Sequence, residues 1–259
     1  MVERENMYNF KDTKANTAKD SVFIPTSALM YNGAYLENVV EGYQTLKVEG
    51  REMSSLSFDS QEMQVGGFIT SSRIPSKTLK ITYKLEDKDP VKLQEKFDNL
   101  MIALYKEKDV AIKFKDMPDY TYYGRFSSAD DVDGDRNAII STFEILLSDP
   151  FKYQAQTTDT GKVSAVLPYK IAPDVVSFTM TAESATLKLN GYTVKISGVS
   201  INQVIELDFI NGNVKVNNVV NNKVLSMDSD FKNIKITTKS ELTGTGFKDG
   251  TIKYRKAVL

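Results

Sequence analysis

One window of this chain repeats its apolar residues at a helical period, while the other patterned windows repeat them at two. In "DPVKLQEKFDNLMIALYKEKD" (89–109), Leu93, Phe97, Leu100, Met101 and Leu104 recur every three or four residues. That spacing makes one apolar stripe on a helix. Asp89 is placed as N-cap, Pro90 as first helical residue, and Lys106 and Lys108 near the negative end of the helix dipole. The spacing predicts a single amphipathic helix over about 90–107 lying on a sheet.

Elsewhere the signal is strand. "TLKITYKL" (78–85) puts Leu79, Ile81, Tyr83 and Leu85 on one face and Lys80, Thr82 and Lys84 on the other, as expected of an antiparallel strand with one wet side. "TLKVEG" alternates through Leu46 and Val48; Val110, Ile112 and Phe114, "YTYYGRF" and "AIISTFEILL" continue the theme. Hairpin turns are predicted at Asn32-Gly33, Asn190-Gly191 and Asn211-Gly212. "NIKITT" (233–238) and "TIKYRKAVL" (251–259) read as further strands. In the last of these, Ile252 and Tyr254 are expected to complete a sheet, so that the chain ends held rather than frayed.

The composition of "SDPFKYQAQTTDTGK" (148–162) turns abruptly to Gln, Thr, Asp and Gly, which marks a linker and a boundary near Lys152. The expected organisation is an N-terminal extension over 1–27, a first domain over 28–152 and a second over 153–259. Met7, Tyr8, Phe10, Val22, Phe23 and Ile24 are the extension's candidate anchors for a partner. The fold class is mainly β with one α-helix: an N-terminal β-sandwich-like domain with a helix packed on its sheet, then a C-terminal all-β sandwich.

Composition narrows the chemistry. The chain has no cysteine and no histidine, which removes thiolate catalysis, disulfides, Ser-His-Asp triads and the commonest zinc ligands. A net charge of −1 gives no broad positive field for nucleic acid or an anionic membrane. No apolar run is long enough to span a bilayer, and the first twenty residues lack a signal peptide's apolar core. The expectation is synthesis in a cytoplasm.

Local motifs add little. Asp131, Asp133 and Asp135 in "DVDGDRN" have the spacing that opens a calcium loop, but Arg136 and Thr142 stand where its Gly and bidentate acid belong. A solvated hairpin loop is the expectation. "GTGFKDG" (244–250) has Asp249 in place of a dinucleotide fingerprint's third Gly and is read as a turn. Glu206 and Asp208, two apart on one strand, are read as its wet face rather than a catalytic pair. Tyr120, Tyr122 and Tyr123 suit an interface or a core better than a sugar platform, where tryptophan usually leads. No catalytic, cofactor-binding or metal-binding residue is predicted, and no cofactor.

Several stretches in order resemble a known family. "YNGAYLENVVEGYQTLKVEGRE" (31–52), "SSRIPSKTLKITYKL" (71–85), "EKDVAIKFKDMPDYTYYGRFSS" (107–128) and "STFEILLSDPFKY" (141–153) are similar to the N-terminal domain of siphophage distal tail proteins. "LDFINGNVKVN" (207–217), "VLSMDSDF" (224–231) and "GTIKYRKAVL" (250–259) resemble the galectin-like C-terminal domain of that family. The resemblance implies a non-enzymatic virion protein: a homohexameric ring at the tip of a long non-contractile tail, made in the host bacterial cytoplasm. It implies contacts with the tail-tube protein, with the tail-associated lysin or hub protein and, in some members, with receptor-binding proteins. DNA would pass the channel without specific binding, and no membrane contact is implied. Only 107 residues follow Lys152 (259 − 152), about what a bare sandwich needs, so an inserted arm is not expected. The rival reading is a carbohydrate-binding or cell-wall adhesion module of a phage tail tip. A galectin-like fold does not by itself imply sugar binding.

Overall fold

The computed structural model describes residues 22–132 and 137–259. Most of the extension, with Met7, Tyr8 and Phe10, and most of the 131–137 loop, with Asp133 and Asp135, lie outside them. Ahead of the first strand, Phe23 is exposed and Lys115 Nζ donates to the Ile24 carbonyl at 2.6 Å.

The first half begins with β1 (Leu29–Tyr31) and β2 (Ala34–Tyr35), joined by the predicted Asn32-Gly33 turn with both residues at positive φ. A single helical turn, α1 (Leu36–Val39), leads into β3 (Tyr43–Glu49). Then come β4 (Ser57–Glu62), β5 (Gly67–Arg73), β6 (Lys77–Glu86), the helix α2 (Pro90–Leu104), β7 (Val110–Phe114), β8 (Met117–Ala129) and β9 (Ala138–Leu147).

Strand β8 builds the half by belonging to two sheets. Residues up to Gly124 pair with β7, and those from Arg125 onward pair with β9. The corner needs a residue without a side chain. A Cβ on Gly124 would sit 2.5 Å from the Leu146 carbonyl oxygen and 2.5 Å from Leu147 Cδ2. The two sheets, β2-β1-β7-β8 and β3-β6-β9-β8, close on one core that includes Leu29, Ile81, Leu85, Ile112, Phe114, Phe143 and Ile145. Helix α2 adds Leu93, Leu100 and Leu104. Its Asp89 cap accepts from the Val91 N–H at 3.0 Å, as the sequence predicts, but it stops at Leu104, where Tyr105 turns extended. A register shift between Thr45 and Lys47 breaks the expected alternation of β3, burying Val48 but turning Leu46 outward.

The second half comprises β10 (Lys152–Thr160), β11 (Val175–Met180), β12 (Ser184–Leu189), β13 (Tyr192–Ser197), β14 (Val204–Asp208), β15 (Asn213–Val216), β16 (Val219–Val220), β17 (Leu242–Thr245) and β18 (Phe247–Val258). A three-stranded sheet, β13-β12-β17, faces the sheet β16-β15-β14-β11-β18-β10. Their inner faces supply a second core, with Leu187, Leu189, Val194, Ile196, Phe178, Ile205, Leu207, Ile252 and Tyr254 among its residues. This is the expected C-terminal β-sandwich. Strand β18 lies inside its sheet, between β10 and β11, and Ile252 and Tyr254 are fully buried.

Two further strand expectations need correction. The stretch read as a linker is strand β10, paired with β18 from Lys152 to Thr160 and bulged between Tyr153 and Gln156. Its Thr and Gln residues suit a largely exposed strand, which composition alone does not separate from coil. "NIKITT" is not a strand. It contributes only a bridge between Ile236 and Ile171, because a short 3-10 turn at Phe231–Asn233 sets the path of the chain.

Candidate interaction surfaces

Among the described residues, the ribbon β4–β5 gathers the largest run of exposed apolar side chains. Its two strands pair only with each other among the described residues, and none of those between Glu49 and Thr78 belongs to either core. Phe58 (52% exposed), Met63 (64%), Val65 (92%), Phe68 (61%) and Ile69 (55%) all face outward. The pairing shifts register between Asp59 and Ser60, with Ser60 opposite Ile69 and Gln61 opposite Phe68. Phe58 and Ile69 therefore share one face, and Phe68 projects from the other. An isolated two-stranded ribbon is marginal in water, and its outer edges leave backbone donors and acceptors unpaired. Such a ribbon gains stability when another surface covers it.

The tyrosine cluster divides its work. Tyr122 is buried in the first core, edge-on to Phe114 with ring centroids 5.9 Å apart. Burial raises its phenol pKa, and the hydroxyl has no hydrogen-bond partner among the described residues. Tyr120 and Tyr123 reach the second half instead. The Tyr120 hydroxyl accepts from Gln154 Nε2 at 3.2 Å, and Lys152 Nζ lies 5.4 Å from its ring centre. Tyr123 packs edge-on to Tyr153 and accepts from Arg255 Nη1 at 2.6 Å.

Arg255 is the centre of this junction. Its guanidinium lies 5.3 and 5.2 Å from the Tyr123 and Tyr153 ring centres. It forks onto Asp174, with Nε 3.0 Å from Oδ2 and Nη2 2.9 Å from Oδ1, while Gln156 Nε2 donates to the same carboxylate at 2.7 Å. Burial, reinforced by the Asp149 carboxylate that accepts its proton, pushes the Tyr153 phenol well above its ordinary pKa. Beside the junction opens a cleft of about 420 Å³ whose lining includes Phe151, Pro173, Phe209, Lys170 and Lys235.

Asp208 is buried rather than on a wet face. It accepts from the Asn211 N–H at 3.0 Å, from Asn211 Nδ2 at 2.8 Å and from Lys215 Nζ at 3.0 Å, which locks the β14–β15 turn. Burial pushes its carboxyl up, but these donors and the Lys215 charge together hold it below the usual range. Glu206 sits across from Ser177 and Lys215 in the sheet. Within the glycine-rich stretch 244–250, Gly246 at positive φ turns β17 into β18, while Asp249, also at positive φ, lies inside β18 where its pairing with β11 shifts register. Asp131 is exposed. Among the described residues, no group of three His, Cys, Asp or Glu side chains could hold a metal ion.

No family model matches the chain. The distal tail protein of Bacillus phage SPP1 is 26% identical over 242 residues, spanning 87% of this chain and 92% of that protein. The crystal structure of the SPP1 protein, described as a paradigm of the hub adsorption apparatus in Gram-positive-infecting phages, superposes with a TM-score of 0.77 at 21% identity. It covers 91% of this chain and 100% of that one. A chain of the phage P2 baseplate in its activated conformation with Ca matches with a TM-score of 0.51 at 9% identity, covering 82% of this chain and 90% of that one. A mainly β fold of two cores and a likeness running nearly end to end make this chain similar to a phage distal tail protein, a structural protein of phage tails.

Proposed function

We propose that the protein forms a hexameric ring at the tip of a long non-contractile tail, joining the tail tube to the hub around the DNA channel. The observation that carries this reading is the β4–β5 ribbon, with apolar side chains on both faces and two unpaired edges. In a ring each copy presents one surface and receives another, so the ribbon is covered by a neighbour and its edges are satisfied. The first half, 28–152, builds the ring, because it carries the ribbon. The second half, 153–259, closes its own core and projects outward. The end-to-end relationship to the SPP1 distal tail protein supports the same arrangement.

The near-neutral charge suits a channel that DNA must traverse without sticking. The adhesion-module reading gains no support from the tyrosines. Tyr120 and Tyr123, which a sugar platform would need free, are engaged by Gln154 and Arg255. Electron microscopy of the full chain mixed with its tail-tube and hub proteins tests the proposal. Six-fold rings at the tube end are expected, and attachment as single peripheral copies would overturn it.

A further inference from the structure

Lys77 enters β6 in phase with Leu79, Ile81, Tyr83 and Leu85, so the alternation of the strand turns it inward. It is only 8% exposed. Its ammonium donates to the Arg51 carbonyl at 3.3 Å and to Ser54 Oγ at 3.2 Å, both neutral acceptors. Among the described residues it forms no ion pair. A lysine held this way has lost most of its hydration without gaining a directly bonded carboxylate. Burial lowers its pKa, Lys152 nearby lowers it further, and Glu52 opposes the two.

The lysine lines a pocket of about 220 Å³ together with Gly50, Met53, Ser54, Ser55 and Ser76. An ammonium and serine hydroxyls around a small open space make a receptor for a group with acceptor oxygens. The pocket also sits at the root of the ribbon. Residues 50–55 lead into β4, and residues 75–78 lead out of β5 into β6.

We propose that this pocket is a carboxylate site that takes an acidic side chain from a second copy of this chain. The inference rests on the ring reading, since the ribbon that a neighbour covers emerges from the pocket's rim. The carboxylate supplies the ion-pair partner that Lys77 lacks among the described residues and accepts from its ammonium and the serine hydroxyls. The lysine is thus a specificity element for the contact, without an ion-pair partner among the described residues of the free protein and paired in the assembly.

Two arms test the proposal and separate it from the ring itself. In the first, thermal unfolding of the free protein is followed in sodium acetate, inorganic phosphate and sodium chloride at matched ionic strength. Acetate is expected to raise the midpoint above its value in chloride for the wild type and not for Lys77→Met, because a ligand that binds only the folded state stabilises it. Equal midpoints in acetate and chloride would overturn the site. A response to phosphate alone would overturn the carboxylate as its ligand. In the second arm, ring formation with the tail-tube and hub proteins is titrated. Lys77→Met is expected to weaken assembly by about tenfold or more without lowering the melting temperature of the free chain, and Lys77→Arg to restore part of the loss. Lys77→Gln serves if the methionine variant misfolds. Normal rings from Lys77→Met would overturn the neighbouring copy as the source of the carboxylate. Failure of the wild type to form rings would instead count against the ring reading, leaving the acetate response to judge the pocket.

Discussion

Phe68→Ser separates a surface that waits for a partner from one that merely happens to be apolar. Phe68 lies on the opposite face of the ribbon from Phe58 and Ile69, with 61% of its surface exposed in the free chain. Fully burying a phenylalanine is worth about 1.5–3 kcal/mol, so covering the three-fifths still exposed contributes about 1.5 kcal/mol to each contact between copies. That corresponds to about thirteenfold in the pairwise association constant. A closed ring of six repeats the contact six times, so the concentration for half-assembly scales as the pairwise constant to the power 6/5 and should rise about twentyfold. The free chain should barely respond, since the ribbon touches neither core. Sedimentation velocity across a concentration series, or particle counts in electron micrographs with the tube and hub proteins present, reads the shift. Differential scanning calorimetry of the dilute chain supplies the control. Rings forming at the wild-type concentration would refute the argument. So would a melting temperature several degrees lower for the free variant, because the ribbon would then pack within its own chain.

Other sites give independent checks. Leu100→Asp sets an unpaired charge on the buried stripe of α2 and should cost about 3 kcal/mol or more, seen as a lower denaturation midpoint. Arg255→Ala strands the buried Asp174 carboxylate and removes a contact to Tyr123, and should cost about 3 kcal/mol in urea unfolding. Asp208 has a folded pKa below its ordinary value, so its contribution is present above that ordinary value and fades as pH falls through the lowered one. Asp208→Asn should therefore lower stability near neutral pH and narrow its gap to the wild type in acid, as a pH series of thermal melts would show.

Much of the architecture is visible in the residues because local signals agree with the tertiary outcome. The stripe of α2 with its Asp89-Pro90 start, the alternation of β6 and the Asn32-Gly33 and Asn190-Gly191 turns each state a backbone geometry that packing only confirms. The misreadings have a common origin in residues whose environment is set by partners distant in sequence. Gln154 to Thr160 look like linker until β18, about a hundred residues on, pairs with them. Asp208 looks like the wet face of a strand until Asn211 and Lys215 fold back over it. The ribbon was missed although Gly66-Gly67 sits between Phe58 and Phe68, because those side chains pack on nothing in their own chain. Lys77 could have been found, since counting back by two from Leu79 places a charge on the buried face.

The junction built around β8, β10 and β18 has a mechanical side. Tyr153 of β10 bridges to Thr121 of β8, and β10 runs antiparallel along nearly its whole length with β18. One hydrogen-bonded lattice therefore continues from the first half into the second, clamped by Arg255 between two aromatic rings. Tension along these strands loads their cross-links together in shear instead of peeling them one at a time. A pull applied to the second half travels through a continuous sheet into the first, so the two halves transmit torque as a lever does rather than trailing on a tether.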